Sequence, residues 1–308
     1  MPYDICGLGT LATDVLMMLD TLPQKDSFCL VRHTEMQPGG SGTNTIVQAA
    51  RLGSCCAYLG TVGDDAEGRV VICSLKEEGV DASHVYIRPG ERTTRTEIAV
   101  DAQGNKCIFL IMGDAFFKLR LNQKDRTLLH EAKVFFTDLL PGWAAMSALR
   151  EAFYNEQKIA VSLEVGVSLF AEMGVTADQI RESLRIADLV VPCRDAVREL
   201  TGTDDPFEAA KKMRPYCRGI IVYTRGKKGS VAFFPDGRIV ETPACPVKAV
   251  DTTGAGDSFM GALMHAYLVK EKPIEEALRF AASCAALTCT GVGARYYPPQ
   301  GYPDLETI

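Results

Sequence analysis

No stretch of this 308-residue chain has the makings of a membrane span. The apolar stretch from Val15 to Leu19 is far short of the roughly 20 residues a spanning helix needs. The N-terminus carries Asp4 early and has no basic segment, so it does not read as a secretory signal, and a cytoplasmic protein is expected. Positive charge is not in surplus either: 33 Lys and Arg against 39 Asp and Glu leave a net charge of −6, which argues against nucleic acid or an anionic membrane as partner. Histidines are few, and His33, His84, His130 and His265 lie far apart, so none forms a local metal motif; they are read as surface or satisfied core residues. The 11 cysteines are an odd number without a C-x-x-C pair. That excludes a zinc ribbon and disfavours a disulfide framework, leaving reduced, mostly buried thiols. Neither G-x-x-x-x-G-K-[ST] nor H-R-D nor D-F-G occurs, which removes P-loop nucleotidases and protein kinases. Internal repeats, low-complexity tracts and long linkers are also missing.

What is present is an ordinary globular balance, 47% hydrophobic and 23% charged, over enough chain for a large core and a small appendage. Tyr3–Gly9 reads as a buried first strand and residues 14–37 as short strands or loops. Thr43–Leu52 reads as a helix stopped by Gly53, Ala57–Val62 as a strand, and Asp64-Asp65 as the cap of a helix ending at Gly79. Thr94–Val100 and Lys106–Met112 flank Asp101–Asn105 as a hairpin. From Lys133 onward, apolar strands (Val134–Phe136, Ile159–Leu163, Leu189–Val191, Ile220–Tyr223) alternate with helices (Trp143–Gln157, Thr176–Ala187, Pro206–Tyr216). That rhythm predicts a parallel sheet covered on both faces. A second hairpin at Ser230–Phe234, turning at Asp236-Gly237, precedes two closing helices, Asp257–Lys270 and Pro273–Thr290.

Three glycine-rich segments are candidates for ligand contact. Gly7-Leu-Gly9-Thr-Leu-Ala12 matches a dinucleotide fingerprint but lacks the following helix and the acid-terminated second strand which that chemistry needs. Pro38-Gly39-Gly40-Ser41-Gly42-Thr43-Asn44 opens a helix. Its paired glycines let backbone approach a ligand and Asn44 can cap the helix or bond a hydroxyl, although a plain strand-to-helix turn would look the same. Asp251-Thr-Thr-Gly254-Ala255-Gly256-Asp257 is the most specific. Glycines at a helix start free N–H groups to face an anion. A carboxylate placed there either caps the helix or accepts a proton from a hydroxyl attacking phosphorus.

With Ala50-Arg-Leu-Gly53, Gly60-x-Val-Gly63-Asp64-Asp65-x-x-Gly68, the hairpin at Gly104 and Thr224-Arg-Gly226-Lys-Lys-Gly229, these segments resemble, in order and over nearly the whole chain, the ribokinase-like (PfkB) carbohydrate kinases. The resemblance implies an α/β fold, an αβα sandwich with a mostly parallel central sheet. It implies one domain over residues 1–308 with a small β-sheet lid from about 14–37 and 91–113. It implies ATP and Mg2+ as cofactors, and phosphoryl transfer to a ribose- or fructose-like sugar. Asp257 is then the base and Gly254, Ala255 and Gly256 the anion hole. Asp14, Gly39, Gly40 and Asn44 line the sugar pocket, joined by Glu164, which could equally be a solvated strand end. Thr224, Gly226 and Gly229 meet the nucleotide with Gly254 and Gly256, and the helix near Cys284 packs by the adenine. Asp251, with carbonyls near Gly291 and Gly293, resembles a monovalent-cation (K+) site, and a homodimer through the lid is implied. Where relatives carry Asn-x-x-Glu for magnesium, this chain has Pro192-Cys193-Arg194-Asp195-Ala196, a degeneracy shared with ketohexokinases and sulfofructose kinases, so no magnesium ligand is named. Cys289-Thr-Gly-Val-Gly-Ala-Arg295 also resembles sulfofructose kinase. Arg32, Arg95 or Arg295 could thus grip an anionic ketose, although surface placement of all three is the simpler expectation. A nucleoside kinase, for which Phe28 and Phe109 are the available lid aromatics, and a non-catalytic sugar sensor are the other readings.

Overall fold

A computed structural model describes residues 3–307. The chain opens with β1 (Tyr3–Leu8) and passes directly into β2 (Ala12–Leu19) and β3 (Val31–Gly39), with no helix after the first glycine motif. Helix α1 (Ser41–Arg51), β4 (Cys56–Gly63), α2 (Ala66–Glu77) and the short β5 (Val85–Arg88) follow, then the hairpin β6 (Arg95–Val100) and β7 (Lys106–Ile111). Next come α3 (Gln123–Glu131), β8 (Ala132–Thr137), α4 (Gly142–Tyr154), β9 (Lys158–Leu163), α5 (Val167–Glu172), α6 (Ala177–Ile186), β10 (Leu189–Pro192), α7 (Arg194–Thr201) and α8 (Pro206–Met213). The chain finishes through β11 (Ile220–Thr224), β12 (Ser230–Phe233), β13 (Ile239–Thr242), α9 (Ala255–Leu263) and α10 (Ile274–Thr288).

A nine-stranded sheet runs β13-β12-β11-β10-β9-β8-β1-β4-β5. All its pairings are parallel except β11–β12 and β12–β13. The central strands are apolar at nearly every position because helices cover both faces: α3, α4 and α6 close over one core, while α1, α9 and α10 close over the other. The expected αβα sandwich is therefore observed. The closing helix expected to run to Lys270 ends instead at Leu263 and continues as a π-helical turn, Met264–Val269. There His265 is buried with its Nδ1 2.8 Å from Ser54 Oγ.

A separate four-stranded sheet, β3-β2-β6-β7, is built from residues 12–39 and 95–111. β2 pairs antiparallel with β3 but parallel with β6, more than eighty positions later. Side-chain alternation puts Asp14 on one face with its register partner Thr96 and with Leu110 beyond it; Phe109 lies on the other face with Glu97. Among the described residues no helix is long and apolar enough to cross a membrane.

Candidate active site

The carboxyl ends of the parallel strands converge on one edge of the large sheet, where open α/β folds bind ligands. β1 delivers Gly9 and Thr10, β8 Asp138, β9 Glu164, β10 Cys193 and β11 Thr224. The N-termini of α1 and α9 arrive at the same edge. Asn44 in the first turn of α1 donates from Nδ2 to Oδ2 of Asp257 in the first turn of α9 (2.8 Å).

The turn before α9 depends on glycine. Gly254 is the N-cap with φ of 75°, and a Cβ there would lie 2.2 Å from the Ala294 carbonyl oxygen. The first bond of the helix runs from Ser258 N to Gly254 O (2.8 Å), and Ala255 N closes the turn onto Thr252 O (3.3 Å), so it is the N–H groups of Gly256 and Asp257 that project from the positive end of the helix dipole. Gly256 is exposed, and a side chain there would enter open space. An anion has both the room and the donors at this point.

Burial pushes the Asp257 carboxyl up to about 7; the Asn44 hydrogen bond opposes this, the charges of Asp138 and Asp14 add to it, and Arg295 opposes it. Burial and then Asp257 push Glu164 to about 8. Asp138 goes to about 6 through burial, against the pull of the Thr10 backbone N–H (2.7 Å to Oδ2). It also accepts from Leu140 N (3.1 Å) and Ser41 Oγ (3.4 Å), tying β8 to the start of α1. Burial thus shifts all of these carboxyls toward the protonated form, Glu164 the most, with Arg295 and the Asn44 amide opposing the shift at Asp257.

Asp14, on β2, accepts from Thr96 Oγ1 (2.6 Å) and is raised by burial. Its carboxylate lies so close to Gly39 that a Cβ there would approach within 2.3 Å, so the first glycine of the pair is required by the lid strand and not by a ligand alone. Gly40 is the N-cap of α1. Thr224 and Gly226 are exposed beside the turn closed by Arg225 N to Gly229 O (2.7 Å), and Gly229 is buried.

Two expectations require correction. Cys284 is wholly buried within α10, so its side chain has no surface to offer an adenine ring. Arg295 is not a surface residue. Its Nε donates to Asn44 Oδ1 (2.7 Å), Nη1 to Ser74 Oγ (2.5 Å), and Nη2 to Thr43 Oγ1 (2.7 Å) and Gly39 O (3.1 Å). Arg32 is exposed as expected and pairs with Asp20, while the half-exposed Arg95 pairs with Glu67 and Glu97.

The two implied metals fare differently. Asp251 accepts from Thr253 N (2.9 Å), Thr253 Oγ1 (2.7 Å) and Gly293 N (3.0 Å), and the Lys106 ammonium stands 3.8 Å away. The carboxylate is already compensated, so these residues do not fit a site that needs K+. At the degenerate magnesium segment, Cys193 Sγ accepts from Ala196 N to cap α7, and Asp195 turns outward to Arg198. Among the described residues no group of three or more acidic, His or Cys side chains is arranged to hold a metal. That arrangement fits magnesium only as an ion carried by the phosphates of a nucleotide.

Sequence reasoning missed Asp138 and Lys106. Asp138 is a lone acid after a strand, with no motif around it. Lys106, the first residue of β7, donates to Thr253 Oγ1 (2.6 Å) and brings the small sheet onto the anion turn; only the three-dimensional crossing reveals it.

The pattern of the pfkB family carbohydrate kinases matches residues 4–300. Fructokinase-1 of Oryza sativa subsp. japonica is 31% identical over 274 residues, covering 83% of this chain and 84% of that protein. The fructokinase of Salmonella typhimurium is 27% identical, covering 90% and 92%. In fold, the structure of Arabidopsis thaliana ribokinase complexed with ribose and ATP superposes with a TM-score of 0.84 at 23% identity, covering all of this chain and 97% of that one.

Proposed function

The chain belongs to the pfkB family of carbohydrate kinases, and from that premise we propose that it phosphorylates a neutral ketohexose, fructose first among candidates, with Asp257 as general base. The fructokinase relatives motivate the sugar. The arginines favour a neutral sugar: Arg32 and Arg95 are paired with carboxylates and Arg295 spends its donors on Asn44, Ser74, Thr43 and Gly39, so none of the three is left to grip an anionic ketose. A nucleoside would need aromatic surface beside Asp14, but Phe109 lies on the opposite face of that sheet and Phe28 is fully exposed in the β2–β3 connection.

The observation that carries the mechanism is the Asp257 carboxyl in the first turn of α9, beside a glycine turn that offers N–H groups to an anion. The sugar sits between Asp14 of the lid sheet and Asn44, with Gly39 and Gly40 as the floor. Asp14 accepts from neighbouring hydroxyls. Asp257 takes the proton of the attacking hydroxyl, and the Gly254-Ala255-Gly256 turn at the start of α9 meets the charge gathering on the transferred phosphoryl group. Glu164, whose burial favours the protonated form, stands at the cleft edge as a hydrogen-bond donor to the sugar. Thr224, Gly226 and Gly229 border the nucleotide, whose phosphates would hold magnesium, an ion that would draw charge from them. The lid's Asp14-side face carries exposed Met18, Ile108 and Leu110, which supports pairing of two lids in a homodimer. Light scattering of Ile108→Lys against the unaltered protein tests that pairing.

The substrate reading is tested by ATP consumption with magnesium over fructose, ribose, a phosphorylated and a sulfonated ketose, and adenosine. Fructose turning over at the highest kcat/KM supports it. Preference for an anionic ketose or a nucleoside overturns the substrate class and leaves the kinase assignment standing.

A further inference from the structure

We propose that Arg295 is a positioning residue for the phosphoryl-transfer step, orienting the Asn44 amide so that its NH2 group, and not its carbonyl, faces the Asp257 carboxylate. This rests on the reading of Asp257 as the base.

A guanidinium only donates and a carboxylate only accepts, whereas an amide has one face of each kind. Asn44 stands between the two, with Oδ1 2.7 Å from Arg295 Nε and Nδ2 2.8 Å from Asp257 Oδ2. The opposite amide orientation would set NH2 against a donor and C=O against a carboxylate, losing both bonds and adding two repulsions. With Arg295 in place a single orientation survives. Asn44 is 6% exposed, so little water is at hand to replace either partner.

Arg295 is itself held rigidly. Ser74 Oγ on α2, Thr43 Oγ1 on α1 and the Gly39 carbonyl at the end of the lid strand fix its other nitrogens, and its own carbonyl accepts from Arg51 (2.9 Å). Burial and the neighbouring charge of Arg51 draw its pKa down to about 10, which leaves it charged at neutral pH. The tether to Gly39 places the relay at the joint between the lid sheet and α1. Because the tie engages Oδ2 of Asp257, Oδ1 stays available for the acceptor hydroxyl.

The relay also bears on protonation. Asp257 faces Asp138 beyond β8, Glu164 beyond β9, Asp14 on β2 and the charge of Arg295; of these groups only Arg295, with the Asn44 amide, favours the ionised carboxylate. Removing Arg295 removes a favourable charge and frees Asn44 to turn.

The test is the pH dependence of kcat/KM for the preferred sugar in Arg295→Met, Arg295→Lys, Asn44→Ala and the Arg295→Met/Asn44→Ala double variant, with thermal melting to confirm folding. Arg295→Met and Asn44→Ala should each move the acid limb upward by about one pH unit, and the double variant no further than the larger single shift, because the two act as one unit. Arg295→Lys, which keeps a cationic donor, should stay near the unaltered profile. An acid limb unmoved in Arg295→Met, or shifts that simply add in the double variant, overturns the proposal. Should Arg295→Met fail to fold, the comparison of Arg295→Lys with Asn44→Ala decides: an identical displacement of both limbs overturns it. Asp257→Asn separates the two claims. If that variant keeps its rate, the base reading fails; if it loses its rate while the Arg295 variants leave the limb in place, the relay alone fails.

Discussion

Adding one methyl group at Gly254 should disable catalysis while sparing sugar binding. The backbone there has φ of 75°, a left-handed conformation that costs an alanine roughly 1–2 kcal/mol. The new Cβ would also stand 2.2 Å from the Ala294 carbonyl oxygen, a backbone atom that cannot rotate away, so either the turn or the segment through Ala294 must move by about an ångström. That segment carries Arg295, and the turn carries the N–H groups at the start of α9. Displacing one donor of an anion hole costs on the order of 10²–10³ in rate. We expect Gly254→Ala to melt lower, corresponding to about 2–3 kcal/mol from strain and clash together. It should lose about 100-fold or more in kcat, with the smaller share of the effect in the sugar KM because Asp14 is held by Thr96 within the lid sheet, away from the turn. A coupled ATP-consumption assay with calorimetry measures both. A folded Gly254→Ala protein with kcat within a factor of three of the parent would refute the role given to this turn.

Other outcomes follow from the carboxylates. Asp14→Asn keeps the shape but halves the accepting capacity toward hydroxyls, and should raise the sugar KM by about 10-fold with ATP KM unmoved, as steady-state kinetics will read. Glu164 has a folded pKa raised from 4.5 to about 8, so the folded state holds a proton that the unfolded chain releases, and stability falls as pH rises from about 4.5 to about 8. Glu164→Gln should therefore melt close to the parent at pH 5 and above it at pH 8.5, and a difference that shrinks toward high pH would contradict the assignment. Asp138→Ala strips an acceptor from the part-buried Thr10 and the buried Leu140 N–H groups and should cost about 2–4 kcal/mol in denaturant unfolding.

The fold was readable where local pattern determines structure. The apolar strands after Lys133 have no polar face, which only a sheet covered on both sides explains, and Asp65 caps α2 by accepting from Gly68 N (2.8 Å), as its position suggested. The Asp251–Asp257 segment was readable because glycines, an acid and a helix start coincide there. What escaped was whatever depends on crossings between distant segments. The parallel pairing of β2 with β6 leaves no trace in either strand. Arg295 looks like any exposed arginine until the fold encloses it among Gly39, Thr43, Asn44 and Ser74. Cys284 lies on a helix that covers the sheet, and which way its side chain turns is set by packing against β-strands far earlier in the chain. Lys106 reaches Thr253 across 147 positions.

The central claim is that Asp257 takes the proton of the attacking hydroxyl. Asp257→Asn preserves the volume and the hydrogen-bonding reach toward Asn44 while removing the base. With fructose, ATP and magnesium, single-turnover kinetics should show a loss of about 10³-fold or more in the phosphoryl-transfer rate. The sugar should still bind by calorimetry. A folded Asp257→Asn protein that transfers phosphate within about 10-fold of the parent rate would contradict the account.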